Sequence, residues 1–295
     1  MHKIPRLVFK ISTAWFLAFL FTPNAYCENS RYLKELQLGK LEPEINVQEG
    51  PFNDALPDLS KLPFQIPELV SMDAYHETFM SRILGGHCHA AIEKLVKIQG
   101  RWALKFALRA KSADWYKWII VIKENIEGYF DLESGKTLYL NVDKQEGSYH
   151  QRKTVLFDYD NRRVVEKESE GDTKIHYRQY ELDEYVVDSY SILFLIRRQN
   201  LFRTKDIFYN IYSNGKVYHL KASVLGQKNI ELSNKKIKTH KVEILTKVEG
   251  ALAQRKGIFM YFSADKGQLP LYSEADVKVG AFTLEARPIP VTMKN

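Results

Sequence analysis

Asn214-Gly215 stands between two alternating runs, "IFYNIYS" and "KVYHLKASVL". Asn and Gly both accept the positive φ of a type I′ turn, whose twist matches the strands it joins. The stretch therefore predicts a β-hairpin, and the same arrangement recurs along the chain. "WALKFALRA", "WIIVIKENIEGYFD", "KTLYLNVD", "KTVLFDYD", "RRVVEKE" and "TKIHYRQYEL" are short strand-like runs, as are "AYHETFMSRI", "KVEILTKV", "IFMYFSAD" and "PLYSEADVKV". Turn signals at Gly85-Gly86, Ser134-Gly135, Asp160-Asn161 and Lys266-Gly267 separate them. Closely spaced strands joined by hairpin turns predict a mainly β protein, built as an antiparallel curved sheet or an open barrel-like fold. The 17 Tyr and 16 Phe residues lean the same way, because aromatic side chains suit a pleated, half-buried surface.

One segment breaks the pattern. "VDSYSILFLIRRQN" (187–200) opens on Asp188 and Ser189, both good N-caps, and closes on Arg197 and Arg198, which suit the negative end of a helix dipole. It predicts one buried α-helix over about 187–200. Ile192, Leu193, Leu195 and Ile196 are apolar almost all round, so the sheet should wrap the helix. Phe194 is expected between helix and sheet, and Arg197 is expected to pair with an acid on the sheet.

The 295 residues divide into three parts. Residues 1–27 carry a basic start with Lys3, Arg6 and Lys10, then an apolar run too short to span a bilayer comfortably, then "TPNAYC". This is the pattern of a secretory signal peptide, with Glu28 expected as the first mature residue. Lipid anchoring through Cys27 is disfavoured, because Tyr26 stands where such a site takes a small residue. Residues 28–69 hold Pro43, Pro51, Pro57, Pro63 and Pro67 and predict an extended, Pro-rich tether. The β domain is expected over 70–290. Loss of the leader removes three cations and no acid, taking the formal net charge from +7 to +4. That balance, with no dense basic block interleaved with aromatics, argues against nucleic acid. "NKKIKTHK" (234–241) reads as a solvated strand or turn. Cys88 remains as the single cysteine, so no internal disulfide is expected. No transmembrane helix is expected once the leader is cleaved.

"IKENIEGYFDLESGKTLYL", "FDYDNRRV", "DSYSILFLIR", "KVYHLKASVLGQKNIEL" and "FSADKGQLPLYSEADVKVGAFTLEA" follow in that order. Together they resemble the domain of unknown function 3108 family of exported proteins of Gram-negative bacteria, over roughly 72–288. The most specific pieces are Asp188, Ser191 and Arg197, and Asp265 with Leu269-Pro270. "FMSRILGGHCHAAIE" departs from the small, Gly-rich hairpin of that family. The resemblance implies an envelope protein with a mostly antiparallel β fold, and no established activity.

His87-Cys88-His89 is the stretch that most looks like chemistry. Side chains alternate along a strand, so Cys88, Ala90, Ile92 and Val96 are expected on the core face, and His87, His89 and Glu93 on the other. A Gly85-Gly86 hairpin would pair His89 with Arg82 and His87 with Leu84, leaving His76 too far along to complete a metal site. No metal or cofactor is expected. "HETFM" lacks the second histidine of a zinc-protease helix, and Asp158-Asp160 lacks the glycine and final acid of a calcium loop. Nucleophile elbow, P-loop and dinucleotide fingerprints are absent from the sequence. Scattered acids such as Glu124, Glu127, Asp131, Asp158 and Asp188 leave a glycosidase-like pair open. The aromatic group Trp102, Trp115, Tyr116 and Trp118 reads either as core or as an apolar mouth for an acyl chain or sugar. The candidate binding residues are Trp115, Tyr116, Trp118, Asp188 and Arg197. The expected function is that of a non-catalytic periplasmic protein that binds an apolar or glycan envelope component (a lipid, a lipoprotein or a polysaccharide) or assists envelope assembly. The alternative is a hydrolase of envelope glycans or lipids acting through its carboxylates.

Overall fold

The computed structural model describes residues 31–37, 39–118, 121–171, 174–183, 185–247, 257–276 and 280–287, with the backbone alone at Tyr116, Trp118, Thr246 and Lys247. The expected signal peptide and Cys27 lie outside the described residues. The alternating runs become strands: β1 (Arg31–Tyr32), β2 (Val47–Gln48), β3 (Glu68–Glu77), β4 (Arg82–Ile98), β5 (Arg101–Ser112), β6 (Ile122–Asp131), β7 (Thr137–Glu146), β8 (Tyr149–Asp158), β9 (Arg163–Glu170) and β10 (Lys174–Glu181). Then come β11 (Val187–Asp188), helix α1 (Ile192–Arg197), β12 (Asp206–Ser213), β13 (Lys216–Leu232), β14 (Lys235–Lys247), β15 (Ile258–Ser263), β16 (Pro270–Asp276) and β17 (Ala281–Ala286).

Neighbours in sequence pair antiparallel from β3 to β10 and from β12 to β17. β17 pairs with β3, Phe282 opposite His76, and joins the two runs into one strongly curved, barrel-like sheet. The sheet is not closed. β11 extends β12 in parallel, Val187 opposite Ile211. Asn214 and Gly215 form the β12–β13 turn with φ of 50° and 71°, the left-handed pair that a type I′ turn requires.

The seam between β10 and β12 is crossed by residues 31–36. β1 pairs with the start of β13, Leu33 N donates to Gly215 O, and Leu36 N donates to Gln179 O of β10. Leu33 is buried in the main core. Further along, Ile45 and Val47 cover Val96, Ile98 and Ala103 on the outer face of the sheet, and Phe64 enters the inner core. The described part of 31–69 has little regular structure; Leu33, Ile45, Val47 and Phe64 are seated in the two cores, while Tyr32, Leu56 and Leu69 are exposed.

Three local readings are corrected. The β3–β4 turn lies at 78–81, and Gly85-Gly86 lies inside β4. Ala74 pairs with Gly86 and Tyr75 with Leu84, so Gly85 is the extra residue of a β-bulge. A second bulge at Glu93 lets Ile92 pair with Phe106 and Lys94 with Lys105. Beyond it the alternation inverts, so Val96 faces outward while Ile92 faces the core. The helix is shorter than expected, covering Ile192–Arg197, because 187–188 serve as a strand and 189–191 as a turn.

Inside the sheet, every residue of α1 is buried. Phe194 meets Phe106 at 5.2 Å, Phe130 at 6.2 Å and Phe64 at 6.3 Å between ring centroids. Gly128 makes room for this cluster, since a Cβ there would stand 2.3 Å from the Phe106 ring. The helix thus fills the interior. The apolar gap left beside Leu193, among Met72, Cys88, Leu108, Met260 and Leu284, holds about 20 Å³, room for roughly one water.

Candidate functional site

The five candidate binding residues do not form one site. Asp188 lies at the entry to α1 and is buried. Its Oδ1 accepts from the backbone N–H of Tyr190 at 2.6 Å and of Ser191 at 2.9 Å, and its Oδ2 accepts from Thr137 Oγ1 at 2.6 Å. The carboxylate organises the turn that leads into the helix and ties it to β7. The expected direct N-cap is corrected to that extent, because Ser191 holds the N-cap position. Desolvation nonetheless raises the Asp188 pKa above the usual carboxylate value, against the opposing hydrogen bonds from Thr137, Ser191 and Tyr190.

Tyr190 hydrogen-bonds Glu124 of β6. Glu124 is 2% exposed, and its Oε1 has no hydrogen-bond partner. Burial pushes its pKa up to about 7, against the nearby Lys144 ammonium and the Tyr190 bond. Across the inner face, Glu124 pairs with Ala110, and Ala110 with Cys88. Cys88 is a free buried thiol, raised to about 12 by desolvation and then by the Glu124 charge.

Arg197 sits at the other end of α1 with 1% of its side chain exposed. Nη1 and Nη2 bind the Glu68 carboxylate at 2.6 and 2.9 Å, and Nη2 also donates to Gly267 O at 2.8 Å. The guanidinium lies 4.9 Å from the centroid of the Phe64 ring. The acid on the sheet expected for Arg197 is therefore Glu68, the first residue of β3. Every donor-rich face of this arginine is occupied by the protein, and its geometry is that of a structural clamp.

Trp115 belongs to a different place. It is 46% exposed on a short 3-10 turn, Trp115–Trp118, between β5 and β6. Its indole Nε1 donates to Leu84 O at 2.9 Å, which sets the ring beside the β3–β4 hairpin. At the tip of that hairpin Phe79 is 100% exposed and Met80 87% exposed. Ile83 and Val121 are also exposed, and Val121 O accepts from Gly147 N of the next turn. Together these turns make one apolar end of the barrel. The side chains of Tyr116 and Trp118 lie outside the described residues. Trp102 is separated from this group, because it begins β5 while Trp115 follows its end, roughly 40 Å along the strand. It packs edge-on against Phe52 at 4.6 Å.

The other sequence candidates are engaged locally. His87 Nδ1 lies 2.7 Å from Asp73 Oδ1, which also accepts from Arg287, and His89 Nδ1 lies 2.9 Å from Ser71 Oγ. Cys88 points to the opposite face. Among the described residues no cluster of three or more His, Cys, Asp or Glu is arranged to hold a metal. Asp131 accepts from the N–H groups of Glu133 and Ser134, and Asp158 accepts from Asn161 N. Glu127 pairs with Lys105 at 3.2 Å on the outer face.

Sequence reading missed a buried ionic group at the seam. Lys153 Nζ binds Glu166 at 2.5 Å and Asn214 Oδ1 at 2.6 Å, and Tyr212 OH donates to Glu166 at 2.8 Å. The alternation of β8, β9 and β12 placed these side chains inward, but only the docking of the β12–β13 turn brings them together. Phe79 and Met80 were missed because "AYHETFMSRI" read as one continuous strand.

A family model described as Protein of unknown function (DUF3108) matches residues 86–287. The comparison with curated proteins finds no match. Among solved structures, the crystal structure of a β-barrel-like protein of the domain of unknown function DUF1849 from Brucella abortus is similar to this chain, with 9% sequence identity and a TM-score of 0.49. The similarity covers 75% of this chain and 96% of that chain.

Proposed function

The chain belongs to the family of proteins of unknown function DUF3108, and we propose that it is an exported, non-catalytic cell-envelope protein that works by surface contact. It binds an apolar or glycan component of the envelope, or assists envelope assembly. The observation that carries this reading is the contrast between a filled interior and an apolar end. Helix α1 occupies the space inside the sheet, while Phe79 and Met80 stand in solvent at one end. Apolar side chains that protrude at full exposure gain free energy only on meeting another surface. Export rests on the basic, then apolar, leader of residues 1–27.

The hydrolase alternative has one observation in its favour, the Glu124 carboxyl with its pKa near 7, the range of a general acid. Against it, Glu124 is buried beneath the sheet, and Asp131, Asp158 and Asp188 cap turns. The test is co-sedimentation of the mature chain, begun at Glu28, with total envelope fragments from a Gram-negative host. Sedimentation of the wild type and its loss in a Phe79→Ser, Met80→Ser variant supports the reading. A wild type that stays in the supernatant overturns it. Complementation lost with Glu124→Gln in a stably folded protein, while the tip variant complements, moves the function to the alternative.

A further inference from the structure

The β3–β4 hairpin is built to hold apolar side chains out. Thr78 N donates to Ser81 O at 2.7 Å, and Thr78 Oγ1 accepts from Met80 N and Ser81 N at 3.3 and 3.1 Å. The turn is thus closed by its own polar atoms, and Phe79 and Met80 project from it without cover. Trp115 flanks the hairpin at the level of Leu84, fixed through its indole N–H. Behind this apolar tip the outer face carries two lysines. Lys111 and Lys123 stand directly opposite one another on β5 and β6, both exposed. Among the described residues neither has a carboxylate within ion-pair distance. Like charges directly opposite on neighbouring strands cost stability, and an anionic surface would relieve that cost.

We propose that this end of the barrel docks on the surface of a lipid bilayer with anionic headgroups. Phe79 and Met80 enter the acyl boundary, Trp115 lies at the headgroup level, and Lys111 and Lys123 meet the anionic surface from behind. The order matches what a bilayer offers with depth: hydrocarbon, then the interfacial zone where tryptophan is favoured, then charge. A protruding hairpin tip suits a deformable bilayer better than a rigid protein groove, since the bilayer needs no matching concavity. The inference rests on the surface-contact reading above and names the surface.

The test is co-sedimentation of the mature chain with vesicles of phosphatidylglycerol and phosphatidylcholine in equal parts, and with phosphatidylcholine alone. Binding is expected to the first and to be at least tenfold weaker to the second, and weaker in high salt. The Phe79→Ser, Met80→Ser variant should bind the anionic vesicles at least tenfold more weakly. Lys111→Gln with Lys123→Gln should also cost about tenfold and flatten the salt dependence. All four positions are exposed, and unchanged thermal melts identify properly folded variants. Equal binding to both vesicle types, no binding to either, or tip-variant binding equal to wild type overturns the proposal. Sedimentation with envelope fragments but not with vesicles defeats the lipid assignment while leaving the surface-contact reading intact. Failure with both defeats the two together.

Discussion

At Glu124 the protein keeps a carboxyl group in a place that favours its neutral form. A carboxyl whose folded pKa lies above its unfolded value takes up a proton on folding. Its favourable contribution is full below about 4.5 and is lost as the pH rises toward 7. Glu124→Gln imitates the protonated state at every pH. The variant should match the wild type near pH 4.5 and exceed it in stability above pH 7, by up to about 3 kcal/mol. Urea melts across that range check the prediction, and parallel curves for the two proteins refute it. Cys88, on the same face, should label slowly with a thiol reagent at neutral pH, because only the thiolate reacts and burial holds its pKa near 12. Its inward direction was legible from alternation alone. The perturbation of Glu124 was not, because it comes from burial, which only the assembled interior supplies.

At the scale of elements, α1 shows what local pattern can and cannot say. The apolar run and its basic end marked a buried helix, and Asp188 marked its entry. The extent was overdrawn because Val187 and Asp188 pair with Ile211 and Tyr212, a tertiary contact that outweighs local helix propensity. The strand-face reading failed in the same way at Val96, beyond the bulge at Glu93 that inverts the alternation. Leu193→Ala should cost about 2 to 5 kcal/mol, since Leu193 is buried against a gap too small to collapse far. Arg197→Met should cost about 3 to 5 kcal/mol by leaving Glu68 charged and unpaired in a buried site. Adding Glu68→Leu to Arg197→Met should restore part of that loss. Guanidinium melts of the three variants test this, and a double variant no better than the single one argues that the Gly267 contacts, not the ion pair, hold the helix end.

Across the whole molecule, the antiparallel curved sheet followed from the repeated hairpin signals, while its seam did not. Residues 31–36 carry almost no periodicity, and their role appears only when β1, Gly215 and Gln179 are seen together. Deleting residues 28–37 should lower stability by at least about 2 kcal/mol through the loss of buried Leu33 alone, and should quicken proteolysis at the exposed edge of β10. A deletion with unchanged melting would show that the seam holds without its strap. The strap also has a kinetic consequence. Its partners, Gly215 and Gln179, lie far downstream, so the first residues of the β domain's lead-in must wait for a late hairpin before they can settle. Contacts of such long sequence separation close slowly. Until they do, the edge of β10 offers unpaired backbone groups to any other strand nearby. Refolding should therefore show a slow final phase that vanishes when 28–37 are absent, and aggregation of refolding chains should be confined to the interval before that phase completes.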